Sequence, residues 1–334
     1  MEHNPKLVSS EIANLWDSYM ADSLNVCMMK YFIATVEDEE TKNILQHSKQ
    51  LSEGHLVTIT SIFEKESLPI PQGFTHSDVN ENAPKLYSDE YYLRFLMKMG
   101  RVGSGKNAMA LGTSYREDVM EFYLSALNES GKLYKQAVEI KKRKGILIRT
   151  SYIPYPESVE YIQDQHFLSG YLTLHKRPLL AMEINHLSNN IEANIIGRTL
   201  IEGFAQVAEN NEVREYFQQG YKLSSKVIET LEEIVEDNYT NSPFTPVGVV
   251  TTSTIAPFSD KLMMTFVSAL NMVSMNNMGQ AVAASMRSDL IGEYTNLIAQ
   301  VGKYSNVGAK IAIENGWIEK PPQTPDRVAL QEKK

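Results

Sequence analysis

Residues 68–89, LPIPQGFTHSDVNENAPKLYSD, decide the fold by what they cannot form. Pro69, Pro71, Gly73 and Pro84 interrupt any helix or central strand. Ser88-Asp89 then offers a side-chain oxygen to the free amides of a new helix. A connection of about 20 extended residues reaches about 66–72 Å, whereas a 25-residue helix is only about 38 Å long. The connection can therefore travel the full height of a helical bundle. Up-and-down bundles use short joints throughout, and one long crossover between the second and third helices is the ferritin-like arrangement.

The flanking sequence supplies the helices. Ile12, Leu15, Tyr19, Val26, Met29, Ile33 and Val36 recur at three- and four-residue steps and predict helix A over about 7–36. Asp38 and Glu39 mark the start of helix B, over about 39–67, with Ile44, Leu51, Ile59, Ile62 and Phe63 inward. Tyr92, Phe95, Leu96 and Met99 carry helix C over about 89–111. Helix D spans about 113–144 and stops at Gly145.

The chain then repeats itself. Glu11-Ile12 matches Glu183-Ile184, and ETKNILQHSKQLS (40–52) matches EVREYFQQGYKLS (212–224), both at an offset of 172. Arg116 and Asp118 match Arg287 and Asp289, and Gly145 matches Gly316, at an offset of 171. Two copies are too few and too long for a solenoid. The expected fold is all-α, a tandem duplication of a ferritin-like four-helix bundle with a long B–C crossover in each copy. The first bundle is placed at 6–153, a connector at 154–177, the second bundle at 178–325 and a C-terminal tail at 326–334. The connector's aromatic residues suggest that it packs against the protein.

Composition narrows the function classes. With 32 Lys and Arg against 41 Asp and Glu, the net charge is −9, which disfavours a general nucleic-acid binder. The basic run Lys141 to Lys144 reads as a complement to the negative end of helix D. No apolar stretch is long enough for a membrane span, and residues 1–10 do not read as a secretory signal. A single cysteine, Cys27, excludes a disulfide framework and reads as buried filler in a reducing cytoplasm.

Candidate chemistry is sparse. A full di-metal bundle needs Glu-x-x-His on two of its helices, but Glu183-x-x-His186 stands alone at the start of helix A of the second copy. Asp22 and His55 sit on the inward seams of helices A and B, and Glu121 on helix D lies near the same height. A core carboxylate and imidazole must pair or bind something. One reading is an Asp22–His55 pair that fixes helix register. The other is a metal site of Asp22, His55 and Glu121 for iron or another divalent metal, with no cofactor strictly required. The second copy has Asn194, Val227 and Gly292 there, so any site belongs to the first copy. Glu11 with Arg116, and Glu183 with Arg287, suggest a structural clamp joining the first and last helices of each copy, extended by Asp118 and Asp289. A ligand carboxylate bound by the arginine is the alternative. Gly103-Ser104-Gly105-Lys106 lacks the strand and first glycine of a P-loop.

The segments EIANLWDSYMADS, LPIPQGFTHSDVN, TSTIAPFSDKLMM, AASMRSDL and IENGWIEKPPQ resemble the tandem-repeat family called domain of unknown function 3231. The resemblance covers essentially the whole chain, and IAPFSDKLMM and ENGWIEKPPQ are its most specific parts. It implies endospore-forming Firmicutes, a distant similarity to spore coat proteins of the coat F type, and two ferritin-like bundles. It assigns no catalytic residue. Members read Lys-His where this chain has Lys226-Val227, so a symmetrical pair of sites is not expected. The leading expectation is a non-enzymatic structural or interaction protein of spore formers, made in the cytoplasm and associated with the spore coat. Its partners would be other proteins or further copies of itself, not nucleic acid. The alternative is a metal-binding ferritin-like protein with one degenerate site in the first bundle. A small-molecule binder using the space between bundles is a third reading, for which the sequence names no ligand.

Overall fold

The computed structural model describes residues 5–171, 176–238 and 250–332. Its long helices are α1 (Ser9–Thr35), α2 (Glu39–Lys65), α3 (Asp89–Leu111), α4 (Glu117–Arg143), α5 (Ala181–Val207), α6 (Asn211–Glu236), α7 (Asp260–Ala284) and α8 (Ser288–Glu314). A short α9 (Arg327–Glu332) follows in the tail. Among the described residues, only isolated β-bridges occur outside helices and turns.

The expected all-α plan of four helices with a long crossover is present twice. α1 and α2 start 172 residues before α5 and α6, while α3 and α4 start 171 before α7 and α8. Local chemistry explains the ends. Asp38, Ser88 and Ser259 each accept a backbone amide of the helix that they open. Gly145 and Gly316 adopt φ of +70° and +68°, which glycine tolerates without a Cβ clash. Beyond them, Ile146 N donates to Lys141 O and Trp317 N to Ala312 O, closing the last turns of α4 and α8.

Asp89, opening α3, accepts the amides of Glu37 and Asp38 at the α1–α2 turn (3.0 and 2.8 Å). Ser10, opening α1, donates to Thr113 O beyond the end of α3 (2.8 Å). The helices of the first bundle thus run up, down, down and up, and residues 66–88 climb its full height.

The two crossovers pair with each other. Val79 bridges Phe258 and Tyr87 bridges Val250, both antiparallel. Asn80 N donates to Pro257 O (2.8 Å), and Thr251 N donates to Leu86 O (2.9 Å). Val79 and Tyr87 become Val250 and Phe258 when 171 is added, so each bridge is the image of the other and the crossovers are related by a pseudo-twofold axis. Around this axis one apolar core runs through both bundles, with Tyr31 packed on Phe258 and Phe95 on Phe266 (ring centroids 5.2 and 5.6 Å apart). Tyr87 and Tyr91 donate their hydroxyls to Leu200 O and Ile196 O of α5. The copies are therefore joined by a shared interior, beyond what the sequence pattern suggested.

The connector differs from expectation. Tyr152, Tyr155, Val159 and Tyr161 are each more than three-quarters exposed. Among its described residues, the end packs: Tyr171 donates to Asp289 O, and the Arg177 guanidinium lies 4.2 Å from the Phe167 ring centroid. The first part contains Pro154 and Pro156 and lies outside any regular element, so its aromatic rings have no helix face to join.

Candidate functional site

The first bundle has an apolar layer at its base, formed by Leu15, Ile59, Phe63, Phe122 and Tyr123, and the shared core at its top. A polar belt separates them. The ring of His55 on α2 reaches Asp22 on α1 through Nδ1 (3.2 Å to Oδ2) and Glu129 on α4 through Nε2 (2.8 Å to Oε2). Ser52 donates to Asp22 (2.7 Å), Asn25 donates to Ser52 (2.9 Å), and Ser125 donates to Glu129 (3.0 Å). The edge of Phe122 closes the site from below, with ring centroids 5.4 Å apart.

Burial by itself disfavours an imidazolium. Here the hydrogen bond and charge of Asp22, with those of Glu129, override it and hold the His55 pKa up at about 9. At neutral pH the centre is a cation between two carboxylates. Both ring nitrogens are engaged, Nδ1 by Asp22 and Nε2 by Glu129 on the opposite side of the ring. Among the described residues, no group of three or more His, Cys, Asp or Glu has the arrangement of a metal site.

Glu121 is not part of this centre. It is exposed on α4, and Glu129 takes the place foreseen for it. Phe122, Ala126, Leu133 and Ala137 face inward on α4. Glu129 lies seven residues after Phe122 on that stripe, whereas Glu121 precedes Phe122 by one residue and is turned about 100° away.

The clamp residues meet at the bundle bases, but not as foreseen. The Glu11 carboxylate accepts the backbone amides of Val8 (2.9 Å), Tyr115 and Arg116 (both 2.8 Å). Although burial opposes the charge, these amides and the Arg116 cation hold the Glu11 pKa below its ordinary value. The Arg116 guanidinium is bidentate to Asp118 (2.7 and 3.0 Å) and also binds Glu66. Glu11 thus ties α1 to the start of α4 through the main chain, while the arginine side chain holds α2.

The second base repeats this with altered charges. Glu183 accepts Leu180, Met286 and Arg287 amides, and Arg177 is bidentate to it (2.8 and 2.9 Å). Burial again opposes the charge, and Arg177 with the amides keeps Glu183 acidic. Arg287 is bidentate to Asp289 (2.8 and 3.1 Å) and donates to Asn238 Oδ1 (3.0 Å) and Arg177 O (3.0 Å). Asn238 stands where the first copy has Glu66, and Arg177 where it has Pro5. One anion is lost as one cation is gained. Each buried arginine spends four of its five N–H donors on the protein's own groups, which leaves no pair of donors for a ligand carboxylate. His186 is not in this cluster, and burial alone lowers its pKa.

A family model described as a protein of unknown function, DUF3231, matches residues 1–159 and again 169–330. The chain belongs to the DUF3231 family. No curated protein matches the chain. A solved structure that does match comes from Bacillus halodurans C-125 and is provisionally described as a spore coat protein; it shares 17% identity over 47% of this chain and 98% of its own, with a TM-score of 0.39. The two DUF3231 copies differ at the belt. In the second, Asn194 turns back to Asn190 O (2.9 Å), Val227 is fully buried, and Gln300 accepts Lys226 (2.9 Å) outside the core. Gly292, the counterpart of Glu121, instead lies against the Tyr171 hydroxyl near the bundle base. Among the described residues, no helix is long and apolar enough to cross a membrane.

Proposed function

We propose that the protein is a non-enzymatic structural or interaction protein of endospore-forming bacteria, made in the cytoplasm and associated with the spore coat. The observation that carries the non-enzymatic part is the closure of the polar belt. An active site keeps a donor, an acceptor or a coordination position open to a reactant. Here Asp22, His55 and Glu129 spend their charges on one another. Cys27, the one thiol, is buried; its pKa is raised to about 11, chiefly by burial. The spore setting rests on the family resemblance of IAPFSDKLMM and ENGWIEKPPQ. The exposed Tyr152, Tyr155 and Tyr161 of the connector favour partners that are proteins or further copies of the chain. Immunodetection through growth and sporulation tests the reading: the protein is expected in sporulating cells and in the coat extract of released spores. Expression confined to vegetative cells would overturn it. A metal in the belt would have to break one of the two contacts to His55. Stoichiometric iron or another divalent metal in protein purified without added metal, lost in His55→Ala, would replace this reading with the metal-binding one.

A further inference from the structure

α3 carries a stripe of charge along its buried first half: Glu90, Arg94, Lys98 and Arg101, spaced by four, four and three residues. Arg94 and Lys98 are 7% and 5% exposed. The last turn of α4 adds Lys141, 1% exposed, and α5 of the second bundle adds Glu192 and Asn189. The basic run at the end of α4 thus divides. Lys142, Arg143 and Lys144 pair on the surface with Glu139, Glu40 and Asp38. Lys141 turns inward, departing from the role foreseen for the run.

The charges do not balance. Glu90 is bound by Arg94 (2.7 Å), and Glu192 is bound by Arg101 (2.8 Å). Four cations against two carboxylates leave two positive charges, on Lys98 and Lys141. Lys98 has one long contact, 3.5 Å to Asn189 Oδ1. Among the described residues, no hydrogen bond or ion pair holds the Lys141 ammonium, although it lies within reach of the fields of Arg94, Glu192, Glu90 and Arg101. A buried ammonium without a partner is costly.

We propose that this seam between α3, α4 and α5 binds one small tetrahedral dianion, of the phosphate or sulfate type, between Lys98 and Lys141. Two excess charges match a dianion, and both lysines lie within the fields of the same pair, Arg101 and Glu192, of which Arg101 is partly exposed. The second copy has Thr265, Ala269, Met272 and Ala312 in place of the four cations, so the stoichiometry is one per chain. Without an anion, burial pushes both lysines down to about 8, helped by Arg101 at Lys98 and by Arg94 at Lys141. Because α5 supplies one wall, the ligand would bear on both bundles.

The test titrates inorganic phosphate into the full chain at pH 7, with sodium chloride holding ionic strength constant. Thermal unfolding and calorimetry are read together. A saturable rise in Tm and one site per chain are expected, with affinity at least tenfold weaker in Lys141→Met and in Lys98→Met. The surface variant Lys222→Met should respond as the wild type does. The two methionine variants act separately, so misfolding of one leaves the other to decide. The proposal is overturned if phosphate does no more than chloride at equal ionic strength, or if a folded methionine variant keeps wild-type affinity. Either result leaves the spore-coat reading untouched, since that reading does not depend on an anion.

Discussion

His55→Gln replaces the imidazolium of the belt with a side chain that is neutral at every pH. A folded-state pKa of about 9 against 6.5 for the free residue corresponds to about 3 kcal/mol of stability. The low side-chain exposure of His55 and Asp22, 17% and 18%, limits solvent screening of the pair. Since folding raises the pKa, the contribution is complete below about pH 6.5 and is lost as the pH rises through about 9. Urea unfolding of wild type and variant should therefore give a gap of about 3 kcal/mol at pH 6, falling to about 1 kcal/mol or less by pH 10. Lys98 and Lys141 also titrate in this range, but their effect is common to both proteins and cancels in the difference. A gap that stays constant from pH 6 to pH 10 would refute the imidazolium assignment.

The other predictions concern packing and the bundle bases. A Cβ on Gly100 would lie 2.8 Å from Tyr134 N and 3.0 Å from its Cα, so Gly100→Ala must push α3 away from α4. It should cost about 1–3 kcal/mol by thermal unfolding. Gly103→Ala meets the Ser130 side chain, whose hydroxyl (2.8 Å) can turn away and whose Cβ lies at 3.3 Å, and should stay within about 1 kcal/mol of wild type. Arg287→Met should cost up to about 3–5 kcal/mol, because it takes the bidentate partner from Asp289, whose side chain is 8% exposed, and leaves it Lys176 (3.1 Å) as its remaining cation. Arg116→Met should cost less by the same measurement, since the Asp118 side chain is 40% exposed and can turn to water.

Regular helical chemistry was readable from the chain. A helix over 89–111 is both expected and found, because Ser88 marks its start and Tyr92, Phe95, Leu96 and Met99 set its apolar face. Height along the bundle points to Glu121, whereas the apolar stripe of α4, Phe122 to Ala126 to Leu133, points to Glu129. The clamp was foreseen between side chains, whereas Glu11 binds main-chain amides, which leave no mark in a residue pattern. A second anionic partner of Arg116, Glu66, lies 50 residues away at the end of α2 and shares no periodicity with it. Arg94, Lys98 and Arg101 did carry a signal, a charged stripe between Leu93, Leu96 and Met97, but its neighbours on α4 and α5 come from distant sequence. The pairing of the crossovers was hidden for the same reason: proline-rich extended segments contain no repeat that names their mate.

The reciprocal bridges Val79–Phe258 and Tyr87–Val250 are the contact that two identical subunits would make about a dyad. In a homodimer every substitution appears twice, and a change that helps one protomer is imposed on its twin. Joining the twins in one polypeptide lifts that constraint. One half can exchange a charged interior for valine while the other keeps its histidine, and a cluster of buried cations can arise on a single flank. Linkage thus turned a symmetric pair into a molecule with a left and a right hand.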